Sequence, residues 1–108
     1  MVYAGLTLYD ARFGGRVTFD VTAADSDGEL MSTTSVFSAG FPRPPLHVHP
    51  HQTERFAVRR GRLRVTHGWR VHLLGPGEEL EVAPGTPHTF AVEGPDEVEV
   101  RVGLRPGR

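Results

Sequence analysis

Residues 47–61 read HVHPHQTERFAVRRG. Three of the chain's six histidines, His47, His49 and His51, fall within five positions, and Glu54 follows five residues after His49. Beyond Pro50 the stretch alternates, with Glu54, Phe56 and Val58 on one parity. Period two marks a half-buried strand, because successive side chains of an extended chain leave opposite faces. Glu54 therefore falls on the apolar, inward parity, where an isolated charge is very costly and needs a partner. His47 and His49 share a face with Val48 opposite, their imidazoles about 7 Å apart along an extended chain. The chain turns at Pro50 through His51-Gln52-Thr53 and re-enters a strand at Glu54.

Outward from this stretch the same alternation recurs. Val17-Phe19-Val21, Leu63-Val65, Val71-Leu73, Leu80-Val82 and Val98-Val100-Val102 each interleave with polar residues. The 13 glycines and nine prolines punctuate these runs every eight to twelve residues, which predicts many short strands in a sandwich or barrel. Asp27-Gly28 and His67-Gly68 suit tight hairpins, since glycine accepts positive φ. Arg60-Gly61, Gly75-Pro76-Gly77 and Pro84-Gly85-Thr86-Pro87 are further corners. The arginines at 59, 60, 62, 64 and 70 and the glutamates at 79, 81, 97 and 99 read as solvated faces with cross-strand ion pairs. His67 and His72 read as turn and surface residues.

Composition narrows the functional classes. With 108 residues the chain is expected to form one domain. A net charge of −1 and a pI of 6.6 offer no basic field for nucleic acid. No apolar run is long enough to span a bilayer, and the first residues lack the pattern of a signal peptide, so a cytoplasmic location is the expectation. Cysteine is absent. All 12 basic residues are arginine, and lysine, isoleucine and asparagine are missing. These three residues have AT-rich codons, so the composition points to a GC-rich bacterial genome.

Imidazoles on one face beside an inward carboxylate can converge on one ion at about 2.0–2.2 Å. The segment 47–61 resembles the first cupin motif: HxH, four residues, Glu, six residues, Gly. The segment 77–92, GEELEVAPGTPHTFAV, is similar to the second motif, Gly-x5-Pro-x-Gly-x2-His-x3-Asn. The resemblance implies an all-β fold, a double-stranded β-helix (cupin jelly-roll barrel) with extra N-terminal strands. It also implies one divalent ion per chain, Fe, Mn, Ni, Cu or Zn, held by His47, His49, Glu54 and His88. Three departures stand out. Six residues separate Gly40 from His47 where the motif has five, Ala83 replaces a proline, and Val92 replaces the final asparagine. His51 is expected to face outward or to support the ligands from behind.

Residues 1–40 are then N-terminal strands that supply a dimer edge, 40–92 carry both motifs, and 93–108 form a closing strand and tail. The resemblance implies an enzyme, either a dioxygenase or a metal Lewis-acid cyclase, isomerase or lyase. Its substrate would be a small oxygen-bearing molecule, aromatic or polyketide-like, with Glu54 as the catalytic base. The alternative is a binding or sensor module without turnover. Phe37, Phe41, Arg43, Phe56 and Phe90 are expected to line the pocket, and Trp69 to pack beside a hairpin. A small-molecule ligand and a homodimer are the expected partners, with neither nucleic acid nor membrane.

Overall fold

The computed structural model describes residues 3–10 and 14–107. Among these residues lie nine strands and no helix: β1 (Thr7–Asp10), β2 (Gly15–Val21), β3 (Met31–Phe37), β4 (Thr53–Arg60), β5 (Leu63–His67), β6 (Arg70–Leu74), β7 (Glu79–Val82), β8 (His88–Val92) and β9 (Val98–Arg105). No helix is therefore long and apolar enough to cross a membrane among the described residues. All pairings are antiparallel. One sheet runs β1-β2-β3-β9-β4-β7 and the other β6-β5-β8. His47 joins the smaller sheet through an isolated bridge to His88, so residues 46–49 are not the continuous strand that the alternation suggests.

The two sheets close on a shared apolar layer. Phe56, Val58, Val98 and Val100 of the larger sheet meet Leu63, Val65 and Leu74 of the smaller, with Val82 beside them. Each buried side chain of this kind contributes roughly 1.5–3 kcal/mol. The outer faces carry the expected cross-strand ion pairs, Arg55 with Glu79, Arg60 with Glu97 and Glu99, and Arg64 with Glu93. Exposed pairs contribute about 0–1 kcal/mol each.

Two turns fix what the site needs. Gly61 has φ +74, and the chain passes there from the larger sheet to the smaller. Gly68 and Trp69 alone connect β5 to β6, with positive φ at Gly68, as a two-residue turn with glycine first requires. The Asp27-Gly28 expectation is corrected. Both residues have positive φ, yet they sit within a nine-residue connection, Thr22 to Leu30, in place of a tight hairpin. That loop is tied at its start, where the Asp25 carboxylate accepts from the Thr22 N–H at 3.0 Å and the Thr22 hydroxyl at 2.8 Å.

Two alternation readings are also corrected. In β2 a bulge between Phe19 and Val21 shifts the register, so Val17 and Phe19 oppose Ser35 and Thr33 while Val21 opposes Ser32. An extra residue in one strand moves everything after it to the other face. In β6 the apolar residues face out: Val71 is 61% and Leu73 42% exposed, whereas Leu74 is buried. The short turn dictates this. It sets His72 opposite Val65 and Leu74 opposite Leu63, and both β5 partners are fully buried. Directly opposed residues share a face, so His72 points inward.

Candidate metal centre

Glu54 starts the inward parity of β4, opposite Val82 on one side and Leu104 on the other, and is 8% exposed. His88 opens β8 after the Pro84-Gly85-Thr86-Pro87 turn and is 1% exposed. The His47 bridge has both backbone bonds, N–H of each to C=O of the other, at 3.0 and 2.9 Å. Gly85 N–H bonds the His49 carbonyl at 2.9 Å, which ties the second motif's turn to the first motif's histidines.

These contacts bring His47, His49, Glu54 and His88 together, with one ligand atom from each lying within 4.8 Å of every other. Ring centroids are 5.2 Å apart for His47–His49, 4.3 Å for His47–His88 and 5.3 Å for His49–His88. Glu54 Oε1 lies 2.5 Å from His88 Nε2 and 3.3 Å from His49 Nε2.

Hydrogen bonds behind the rings decide which nitrogen is offered. His88 Nδ1 contacts the Thr86 carbonyl at 2.9 Å, and His47 Nδ1 the Pro45 carbonyl at 3.0 Å. A carbonyl only accepts, so Nδ1 carries the proton in each ring and Nε2 is the bare nitrogen of the neutral form. A bare Nε2 and a carboxylate oxygen 2.5 Å apart face each other as two acceptors. They call for a shared cation, a proton or a metal ion. Three imidazoles and one carboxylate, two of the rings oriented by backbone carbonyls, form a donor set that a divalent ion fits. An ion held by these four donors would keep room in its coordination shell for water or a ligand.

The remaining expected residues separate. His51 is exposed, and Arg43 is exposed on the loop before the bridge. Phe37, Phe41, Phe56 and Phe90 do converge, with centroids 4.5 Å apart for Phe37–Phe41, 5.2 Å for Phe37–Phe90 and 6.1 Å for Phe56–Phe90. Phe37 and Phe56 belong to the packed core, and Phe41 and Phe90 lie partly buried against it. Trp69, expected to pack, is fully exposed at the hairpin tip. A two-residue turn leaves it no neighbouring surface. A groove of about 300 Å³ lies on the outer face of the larger sheet, where Arg55, Arg101, Glu79 and Glu81 flank Ala57 and Gly103. It opens away from Glu54, whose parity is inward.

Alternation alone missed His67 and His72. Both are half-buried, with ring centroids 4.7 Å apart, and the Nε2 of each is buried with no hydrogen-bond partner. Leaving a buried polar atom unpaired costs roughly 1–3 kcal/mol. Burial, then the neighbouring His72, with Arg70 and His88 in support, hold the His67 imidazole below its ordinary value. The signal that could have found the pair is the Gly68-Trp69 turn, whose length fixes the face of everything in β6. A histidine with a lowered value resists protonation in the fold while the unfolded chain accepts the proton. Stability is therefore expected to fall as pH drops below about 6.5. Urea unfolding at pH 7.5 and 5.5 should show less of this loss in His67→Gln than in the parent.

Sequence and structure comparisons agree with this geometry. Residues 34–103 match the family model for the cupin domain. Oxidoreductase OpS7 of Beauveria bassiana (strain ARSEF 2860) is 37% identical over 57 residues, 52% of this chain and only 19% of that protein. Among solved structures, KdgF from Halomonas sp. superposes with a TM-score of 0.77 at 21% identity, covering 93% of this chain and 87% of that one. A predicted oxalate decarboxylase from Thermotoga maritima gives 0.79 at 12% identity, covering 85% and 80%. Recombinant oxalate oxidase in complex with glycolate gives 0.74 at 22% identity, covering 91% and 54%. At these identities the structural matches establish the jelly-roll barrel alone; the family model, which covers well over half of the sequence, shows that the chain belongs to the cupin family.

Proposed function

We propose that this cupin binds one divalent metal ion through His47, His49, Glu54 and His88 and acts as an enzyme on a small oxygen-bearing molecule. The observation that carries the reading is the pairing of a bare His88 Nε2 with Glu54 Oε1 at 2.5 Å in a buried setting. When bound, the ion supplies Lewis-acid activation of a chelating oxygen, and redox chemistry with O2 if it is redox-active. The chain's own residues do the rest. The Thr86 and Pro45 carbonyls keep His88 and His47 in the ligating tautomer. Phe56, 6.3 Å from His88, and Phe90 beside it keep the inner wall dry. Glu54 is the carboxylate of the cluster, and it would serve as proton acceptor for a small molecule held there.

The reaction classes this supports are ring-opening dioxygenation and metal-assisted cyclisation, isomerisation or elimination. Screening aromatic and enolic oxygen compounds against protein loaded with iron, manganese, nickel, copper or zinc, with oxygen uptake followed, separates them. Glu54→Gln is expected to slow either class at least tenfold, because it keeps the shape and loses both the base and a carboxylate ligand of the ion; the metal content of the same variant separates the two losses. A ligand that binds tightly with no product and no oxygen uptake under every metal would establish the non-catalytic binding module instead.

Metal affinity is expected to weaken as the solution is made more acid, since ligating imidazoles must be neutral. Competition with a chelator at pH 8, 7 and 6 checks this. A pH-independent constant would contradict histidine ligation. A two-fold homodimer is part of the reading. Among the described residues β1 pairs with β2 alone, and its other edge, on a strand with Leu8 51% and Tyr9 77% exposed, is where a second copy would add. Light scattering is expected to give about twice the chain mass of 11.9 kDa, and a monomer at micromolar concentration would refute it.

A further inference from the structure

β6 is the edge strand of the smaller sheet, paired with β5 on one side and, among the described residues, with nothing on the other. Antiparallel pairs alternate between those that exchange both backbone bonds and those that exchange none. The two-residue Gly68-Trp69 turn makes His67 and Arg70 a bonded pair, so Val65 with His72 and Leu63 with Leu74 are bonded too. The far side of β5 agrees with this phase, since Gly68 donates to the Pro87 carbonyl and the Arg62 carbonyl accepts from Glu93. The N–H and C=O groups of Val71 and Leu73 therefore point to the open edge, where no backbone partner meets them among the described residues.

This edge is unguarded. Sheet edges are commonly blunted by charge, by proline or by a covering segment. The β8 edge takes the His47 bridge, and the β7 edge carries the exposed Glu79 and Glu81. On β6 the residues whose backbone faces the edge have apolar, exposed side chains, Val71 at 61% and Leu73 at 42%, and the fully exposed Trp69 precedes them. Free ladder groups beside exposed apolar side chains are what an added strand covers. Arg70 and Glu78 are both exposed, and among the described residues neither enters an ion pair.

We infer that β6 is a second self-association edge, at which β6 of another copy pairs antiparallel about a two-fold axis at His72 and so joins β1-linked dimers to one another. The strand fits itself. In that register Val71 lies opposite Leu73 of the second copy, and Leu73 opposite its Val71, so both pairs exchange backbone bonds and cover apolar side chains. Arg70 lies opposite Leu74 of the second copy, one residue from the corner where Glu78 Oε1 accepts from the Gly75 N–H at 2.8 Å. Two-fold symmetry brings these opposite charges together twice. Trp69 lies opposite the same Gly75, beside Pro76. A strand of five residues buries less than the roughly 1,200 Å² at which stable interfaces begin, so the association is weak. It rests on the β1 homodimer for the size of the assembly alone, because a chain without the β1 interface would pair through β6 from monomer to dimer.

The test is sedimentation velocity of the whole chain from micromolar to near-millimolar concentration, with the emission of Trp69, the sole tryptophan, followed over the same range. The average mass is expected at least to double, and the emission to move to shorter wavelength as the mass rises. Val71→Arg and Leu73→Arg alter exposed side chains, so they should keep the fold and the micromolar mass while abolishing both changes. Tyr9→Arg, on β1, should halve the mass at each end of the range and keep the doubling. Doubling that persists in both β6 variants, or that occurs with no change in Trp69 emission, would overturn the inference. A parent mass constant over the whole range would do the same and leave the edge to a strand of another protein.

Discussion

Replacing His88 by alanine is expected to lower affinity for a divalent ion by at least about 100-fold, beyond the 10–100-fold that loss of an orienting group behind a ligand typically costs. His88 is almost wholly buried, makes the closest approach to Glu54, and bridges to His47 through two backbone bonds. Those backbone bonds survive the substitution, so strand content by circular dichroism should persist while the ion is lost. His51→Ala is the matched control. His51 is exposed, so its removal should leave affinity within about twofold. Equal losses in the two variants would mean that histidine number, not the converged cluster, governs binding.

Gly61→Ala is expected to destabilise the fold by about 3 kcal/mol or more, two contributions acting together. A side chain at φ +74 costs roughly 1–2 kcal/mol. A Cβ there would also fall on the Glu97 carbonyl oxygen and lie 3.0 Å from Val98 Cα, both backbone atoms at the start of β9. Backbone in a six-stranded sheet cannot give way as a flexible side chain can. Gly77→Ala separates the contributions. Its φ is +86 with nothing within 4 Å of a Cβ, so only the conformational cost applies. At about 4–8 °C per kcal/mol, thermal unfolding should place Gly77→Ala about 4–16 °C below the parent and Gly61→Ala clearly lower again, about 12 °C or more below the parent. Similar shifts for both would remove the argument from crowding at the corner.

The fold was legible where alternation ran unbroken into the core. β4, β5 and β9 placed Phe56, Leu63, Val65, Val98 and Val100 inside, as their parity requires. The candidate metal cluster was legible in part for the same reason, because Glu54 shares the parity of Phe56, while His88 and the full set of four came from the resemblance to the two cupin motifs. What escaped depended on register, which period two does not carry. A one-residue bulge turned Val21 outward, and a two-residue turn inverted β6, so that His72 went in and Val71 came out. The phenylalanines expected to line a pocket converge, and Phe37 and Phe56 belong to the core, with neighbours packed against them. Spacing cannot tell a wall from a filling.

The most direct test of the central claim is the metal content and coordination of the purified chain after loading with cobalt or zinc and extensive dialysis, read by elemental analysis and X-ray absorption. One ion per chain, bound at about 2.0–2.2 Å by three imidazole nitrogens and a carboxylate oxygen, is the result expected. An ion retained in full by both His49→Ala and His88→Ala, or no ion retained by the parent chain, would contradict it.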